Sequence, residues 1–214
     1  ICSVYINGRF DTYHKGGYLP FSSDITDFVG EDRIISILVS VHDFSDTSYH
    51  ARGKQQLKSG GMFYTAQSGI WQTVWMEIVP TAYIRDLRIT PDFDRGHVRI
   101  RMRAEFSENT ALCRIYQPVF LDADGVTKEL CRQPVTEAFL KPGKEISIPV
   151  PSKYQKHWSP QEPWLYPVSI EYGEDQVLTY FALRKCDVQM AEDGYPRFFL
   201  NNKPYFQSGV LDQG

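Results

Sequence analysis

The sequence predicts an all-β protein, and three observations carry that prediction. Aromatic residues make up 14% of the 214 residues, and aromatic side chains suit the half-buried surface of a pleated sheet. Fifteen glycines and thirteen prolines break the chain at short intervals, as turns between strands require. The apolar runs either alternate with polar residues or are short and continuous, and no segment supports a helix of ten or more residues.

The elements follow in chain order. Val4-Tyr5-Ile6, then Asn7-Gly8, then Arg9-Phe10 reads as a hairpin, because Asn-Gly accepts the positive φ angles of a tight turn. Asp24 to Phe28 reads as one helical turn behind a Ser/Asp cap. Arg33 to Val41 is nearly all apolar and is expected as a strand buried on both faces. Trp71 to Val79 is expected as a second long strand ending at Pro80. His97 to Phe106 alternates most clearly. Val98, Ile100, Met102, Ala104 and Phe106 face one way, while Arg99, Arg101, Arg103 and Glu105 face solvent. Cys113 to Leu121, a turn at Asp122-Ala123-Asp124-Gly125, Val126 to Leu130, Glu145 to Val150, Trp164 to Tyr172 and Val177 to Leu183 continue the series. About seven strands between residues 82 and 186 fit a β-sandwich of immunoglobulin-like size. Breaks fall at Pro80-Thr81 and across Asp187 to Pro196, where Ala191-Glu192-Asp193-Gly194 reads as a linker.

Composition excludes several classes. Lys and Arg number 23 against 26 Asp and Glu, a net charge of −3, which argues against nucleic-acid partners. No apolar run approaches the roughly 18 to 20 residues that span a bilayer, so no membrane partner is expected. The four cysteines, Cys2, Cys113, Cys131 and Cys186, have no zinc spacing. They are expected mainly as free, buried thiols rather than bridges in a chain of this size and apolar content. No metal or other cofactor is indicated. The first residue is Ile1 and no signal-peptide pattern follows it, so periplasm or secretion and cytoplasm both stay open.

Several short motifs together resemble glycoside hydrolase family 2, the β-galactosidase and β-glucuronidase group. Tyr5-Ile6-Asn7-Gly8, then His14-Lys15-Gly16-Gly17-Tyr18-Leu19-Pro20-Phe21 and Asp24-Ile25-Thr26, are similar to a run in the family's sugar-binding jelly-roll. Ser68-Gly69-Ile70-Trp71-Gln72-Thr73-Val74-Trp75-Met76-Glu77 resembles the last strand of that domain. Trp158-Ser159-Pro160-Gln161-Glu162-Pro163-Trp164-Leu165-Tyr166 and Phe181-Ala182-Leu183-Arg184-Lys185 are similar to segments of its immunoglobulin-like domain. Phe199-Leu200-Asn201-Asn202-Lys203-Pro204 with Gly209-Val210 resembles the start of its catalytic (β/α)8 barrel.

The resemblance implies three parts. Residues 1–80 would be a jelly-roll whose N-terminal part lies elsewhere, 82–186 the immunoglobulin-like sandwich, and 187–214 a linker with the first barrel strand, Gln207 to Val210. Retaining glycosidases use two carboxylates about 5 to 5.5 Å apart. In the family both are barrel glutamates, one following an Asn. This sequence has no Asn-Glu dipeptide, so no catalytic residue is assigned within it and the chain alone is expected to be inert. Where relatives read Asn-x-His-Glu, this chain has Leu211-Asp212-Gln213-Gly214. Asp212 and Gln213 would stand at the substrate-facing end of the first barrel strand and are the candidate substrate-binding residues; Asp212 contacting a sugar hydroxyl and Asp212 capping a turn are weighed equally. The implied partner is a carbohydrate substrate of the intact enzyme, with homo-oligomers open. A stand-alone carbohydrate-binding or adhesion module is the rival reading.

Other clusters have bland readings. His42-Asp43-Phe44-Ser45-Asp46 is expected as a turn rather than a metal or acid/base site. Asp122 and Asp124 before Gly125 lack calcium-loop spacing. The arginine row of 99, 101 and 103 is expected as a solvated face, His14 as a loop determinant, and Trp71 and Trp75 as core packing in preference to sugar stacking. The polar loop His50 to Gly61 is too long for a simple hairpin. By the resemblance it would shape the substrate pocket.

Overall fold

The computed structural model describes residues 1–31, 34–106, 109–120 and 133–211. Within them lie sixteen strands and two single-turn 3-10 helices. The protein is all-β. It divides into two compact units, Ile1–Met76 with residues 209–211, and Glu77–Ser208.

In the first unit, β1 (Cys2–Ile6) and β2 (Arg9–His14) form the expected hairpin. Asn7 at φ 50° and Gly8 at φ 76° make a turn with both central residues left-handed, whose twist matches paired strands. β3 (Ile37–Val41) adds to the other side of β1, giving a three-stranded antiparallel sheet in the order β2-β1-β3. Of this sheet only Val4 and Ile6 are buried. β3 therefore departs from the expectation of two covered faces: Ile37 and Leu38 are 50% and 62% exposed. Its apolar sequence is suited to a second layer, and no described residue of the unit supplies one. The segment Trp71 to Val79, expected as a strand, is not one here: no neighbouring strand pairs with its backbone. The loop from His50, too long for a simple hairpin, contains short pairings. β4 (Gln55–Gln56) pairs in parallel with β5 (Tyr64–Thr65), and Gly60 bridges Phe63.

The second unit contains a β-sandwich. One sheet has the order β11-β7-β6, from β6 (Ile84–Asp92), β7 (His97–Ala104) and β11 (Glu145–Pro149). The other runs β10-β8-β12-β13, from β8 (Ala111–Ile115), β10 (Thr136–Leu140), β12 (Trp164–Tyr172) and β13 (Asp175–Phe181), with β9 (Val119–Phe120) also on β12. β7 alternates as read: Val98, Ile100 and Met102 are fully buried, while Arg99, Arg101 and Arg103 are exposed. They face Cys113, Ile115, Val168, Ile170, Tyr166, Tyr172 and Leu183 in one apolar core. β7 stops short of Phe106, which sits at φ 56° and leaves the strand conformation. Cys113 to Leu121 splits into β8 and β9 around Pro118, which lacks the N–H a ladder needs. Pro91 in β6 is tolerated because β6 is an edge strand of its sheet. The turn expected at Asp122 to Gly125 and the strand Val126 to Leu130 lie outside the described residues.

After the sandwich the chain makes a third, small sheet, β14-β15-β16, from β14 (Cys186–Met190), β15 (Pro196–Leu200) and β16 (Lys203–Pro204). The stretch expected as a linker is thus a strand, a turn and the start of another strand. Ala191-Glu192-Asp193-Gly194 is the turn, with Gly194 at φ 80° and its N–H donated to the Ala191 carbonyl at 2.9 Å. Asn201 and Asn202, at φ 53° and 62°, make the two-residue turn of a tight hairpin between β15 and β16. Gln207 to Val210, expected as a barrel strand, is not a strand here. A parallel strand forms only beside a partner, and none is present among the described residues.

Candidate functional site

In the first unit, Asn7 does more than turn the chain. Its side-chain N–H donates to the Phe28 carbonyl at 2.8 Å, and its Oδ1 accepts the Ser36 N–H at 2.8 Å. Its own N–H donates to the Ser36 carbonyl at 2.9 Å. One residue thus ties the hairpin to two loops, and the Arg9 guanidinium lies 4.8 Å from the Phe28 ring centre. Asp24 Oδ1 accepts from both the N–H and the hydroxyl of Thr26, at 2.9 and 2.6 Å. These bonds favour the carboxylate and hold the Asp24 pKa below its usual value, hydroxyl bond first. The helical turn read from the sequence follows as Thr26–Phe28, but its N-cap is Ile25 and no side chain caps it, so the expected Ser/Asp cap is not formed.

The His14-Lys15-Gly16-Gly17 run is a loop determinant, as expected. Gly16 sits at φ 96°, the His14 ring stacks on Phe21 at 4.6 Å, and the Trp71 indole N–H donates to the Gly17 carbonyl at 2.6 Å. Trp71 and Trp75 do not fill a core. They are 65% and 68% exposed, a correction that follows from the missing second layer over this sheet. His42 to Asp46 is a turn: Asp43 Oδ1 accepts the Ser45 N–H at 2.8 Å with Ser45 at φ 49°.

In the second unit the arginine row is a solvated ion-pair face. Arg99 pairs with Glu145 at 3.5 Å and Arg103 with Asp86 at 3.0 Å. On the other sheet Arg114 pairs with Glu137 at 2.9 Å and also with Glu171, and both carboxylates raise its pKa, Glu137 most. Tyr166 is fully buried, and its hydroxyl accepts the Lys156 N–H at 2.6 Å and lies within donating distance of the Tyr154 and Lys156 carbonyls. A tyrosine opening a strand and bonding back to upstream backbone is the corner that fixes sandwiches of the immunoglobulin type. Of the cysteines described, Cys113 is buried as expected, and burial pushes its thiol up to about 12. Cys186 corrects the expectation: it is a free thiol but exposed, because it lies on a sheet without a core. Cys131 lies outside the described residues.

The densest polar cluster sits where the third sheet meets the sandwich, and the sequence reading missed it. Asn201 donates from Nδ2 to the Trp158 carbonyl at 3.0 Å and accepts the Lys185 N–H on Oδ1 at 3.0 Å. Its N–H donates to the Lys185 carbonyl at 2.8 Å. Asn202 Nδ2 donates to Asp94 Oδ1 at 2.8 Å, and Lys185 Nζ meets Asp94 Oδ2 at 2.8 Å and Asp187 at 3.6 Å. Lys185, then Asn202, hold the Asp94 pKa down, and Asp94 raises that of Lys185. The available signal was Asn at both left-handed positions, where Asn-Gly would have turned the chain as well.

The candidate substrate-binding residues Asp212 and Gln213, and the acidic turn of Asp122 and Asp124, lie outside the described residues. Among the described residues no group of three or more His, Cys, Asp or Glu side chains is placed to hold a metal. No helix among them is long and apolar enough to cross a membrane.

Comparison with known proteins adds to this picture. The family described as "Glycosyl hydrolases family 2" matches residues 82–184, the sandwich. A β-galactosidase of Thermoanaerobacter pseudethanolicus is 26% identical over 223 aligned positions, covering 98% of this chain and 27% of that protein. A β-glucuronidase of Rattus norvegicus is 25% identical over 226, covering 97% of this chain and 33% of its own length. The fold matches that of the Ruminococcus gnavus β-glucuronidase solved with D-glucaro 1,5-lactone, with a TM-score of 0.62 at 18% identity, over 97% of this chain and 34% of that one. A β-glucuronidase of an uncultured Clostridium sp. gives a TM-score of 0.60 at 22% identity, over 96% of this chain and 33% of its own. The chain thus spans about a quarter to a third of the relatives it matches. With the family's model on the sandwich and β-galactosidases and β-glucuronidases aligned along nearly the whole sequence at 25 to 26% identity, this chain is similar to the glycosyl hydrolases of family 2.

Proposed function

We propose that the whole protein is a retaining glycosidase of terminal β-linked sugars and that this chain supplies its accessory β-sandwich domains, with no catalytic residue of its own. The observation that carries this reading is the alignment of nearly the entire chain with a quarter to a third of β-galactosidases and β-glucuronidases. In this reading the sandwiches hold the catalytic domain in place, and Asp212 and Gln213 touch the sugar from the end of the first barrel strand.

A panel of aryl β-galactosides, β-glucuronides and β-mannosides tests it. The 214-residue chain should leave all of them intact, and the protein expressed from the whole gene should cleave at least one with retention. Turnover by the short chain that a point mutation within it abolishes would overturn the accessory role. In the whole protein, Asp212→Asn should lower kcat/KM at least about tenfold, roughly 1.4 kcal/mol of transition-state binding; unchanged kinetics would remove Asp212 from the site. The stand-alone binding module is favoured by one observation, the Trp71 ring left exposed while its N–H is tied to Gly17. A gene that ends soon after Gly214 would decide for it.

A further inference from the structure

The sheet of β14, β15 and β16 lacks what holds the sandwich together. None of its strand residues is buried; each is half-buried or exposed. The apolar core cluster includes none of its side chains. Its apolar face, which pairs Val188 with Phe198 and Met190 with Pro196, is left exposed, and a ribbon of short strands that buries no apolar face is marginal by itself. Its position must come from polar bonds, and those converge on one turn.

We propose that the Asn201-Asn202 turn is a clip that docks this sheet on the end of the sandwich and so fixes the direction in which the chain leaves at Tyr205. Three loops of the sandwich are engaged at once. Asp94 comes from the turn between β6 and β7, Trp158 from the segment before β12, and Lys185 from the stretch after β13. Asn201 bonds Trp158 and both backbone groups of Lys185, while Asn202 bonds Asp94, which also holds the Lys185 ammonium. Gln189 of β14 closes the ring, donating to both oxygens of Asp187 at 3.1 and 2.9 Å and to Asn202 Oδ1 at 3.4 Å. Glycine at 201 would satisfy the left-handed backbone yet supply neither side-chain bond, so the asparagine is selected by its amide and not by its φ alone. The Tyr205 N–H donates to the Phe198 carbonyl at 2.9 Å, extending the hairpin to the point of departure. Each side-chain bond is part-buried or exposed and individually weak. The clip therefore opens as a unit at lower cost than the sandwich core, as local unfolding units do.

The inference rests on bonds within this chain and stands or falls independently of the glycosidase reading. Hydrogen–deuterium exchange of the 214-residue chain, followed by mass spectrometry, tests it. Asn201→Gly keeps the turn and removes two side-chain bonds, and should speed exchange of residues 196–204 about tenfold while peptides of β7 and β12 keep wild-type rates. Asp94→Ala, at the far side of the clip, should give the same selective effect. Asn201→Asp, which keeps the acceptor for Lys185 but loses the donor to Trp158, should fall between. Unchanged exchange of 196–204 in both Asn201→Gly and Asp94→Ala would overturn the clip. So would equal acceleration of β7 and β12, because the sheet would then be part of the sandwich's own cooperative unit.

Discussion

At the scale of single residues, burial and bonding separate groups that look alike in the sequence. Cys113 and Cys186 are both lone cysteines at strand positions. One is sealed between the sheets, where burial disfavours the thiolate and lifts its pKa to about 12; the other stands exposed. Because the thiolate is the nucleophile, iodoacetamide at pH 8 should alkylate Cys186 readily in the native chain and leave Cys113 unmodified until the chain is denatured. Peptide mass mapping reads both sites, and native labelling of Cys113 would show that the core opens more freely than its packing implies. The same contrast explains what the sequence hid. Strand composition placed Cys113 in a sheet, but only the register of β8 against β12 puts it inside the sandwich; Cys186, read between a strand and a linker, opens β14 instead.

At the scale of elements, period and turn chemistry were legible wherever a strand has one covered face. β7 follows its alternation because Val98, Ile100 and Met102 meet the opposing sheet, and both tight hairpins formed where Asn-Gly and Asn-Asn allow positive φ. The apolar runs from Arg33 and from Trp71 misled because a continuous apolar sequence records what a strand would bury, not what lies beside it. The Asn201 clip escaped because hydrogen bonds between loops distant in sequence leave no periodic mark. That clip has a pH signature. Asp94 has a depressed folded pKa, held down first by Lys185 and then by Asn202, with Asp187 as the other charge facing Lys185. Its contribution is complete above the usual aspartate value of 3.8 and fades as pH falls through the lower folded value. NMR signals of β14 to β16 should therefore shift below pH 3.8 while those of β7 and β12 persist, and Asp94→Asn should abolish that step. A hairpin that holds its shifts to the pH at which the sandwich itself unfolds would show that the ion pair contributes nothing to docking.

At the scale of the whole molecule, the two units differ in what they can sustain alone. Glu77–Ser208 contains the continuous core of both sheets, from Val98 to Leu183, with its tyrosine corner and buried aliphatic layers. Among its described residues, Ile1–Met76 buries only Val4 and Ile6. Its sheet leaves Phe10, Ile37 and Leu38 open to water, with β2 and β3 as unpaired edges, and Trp71 and Trp75, outside the sheet, are exposed too. Apolar surface of that kind, beside free strand edges, drives association between chains. Expressed alone, residues 77–208 should be monomeric and melt in one cooperative transition, because burial of a shared core couples the strands. Residues 1–76 alone should bind a hydrophobic dye such as ANS, melt without a sharp transition and self-associate in sedimentation experiments. A monodisperse 1–76 with a cooperative melt would show that its exposed residues pack in a way this sheet does not require, and would move the source of its stability away from the missing second layer.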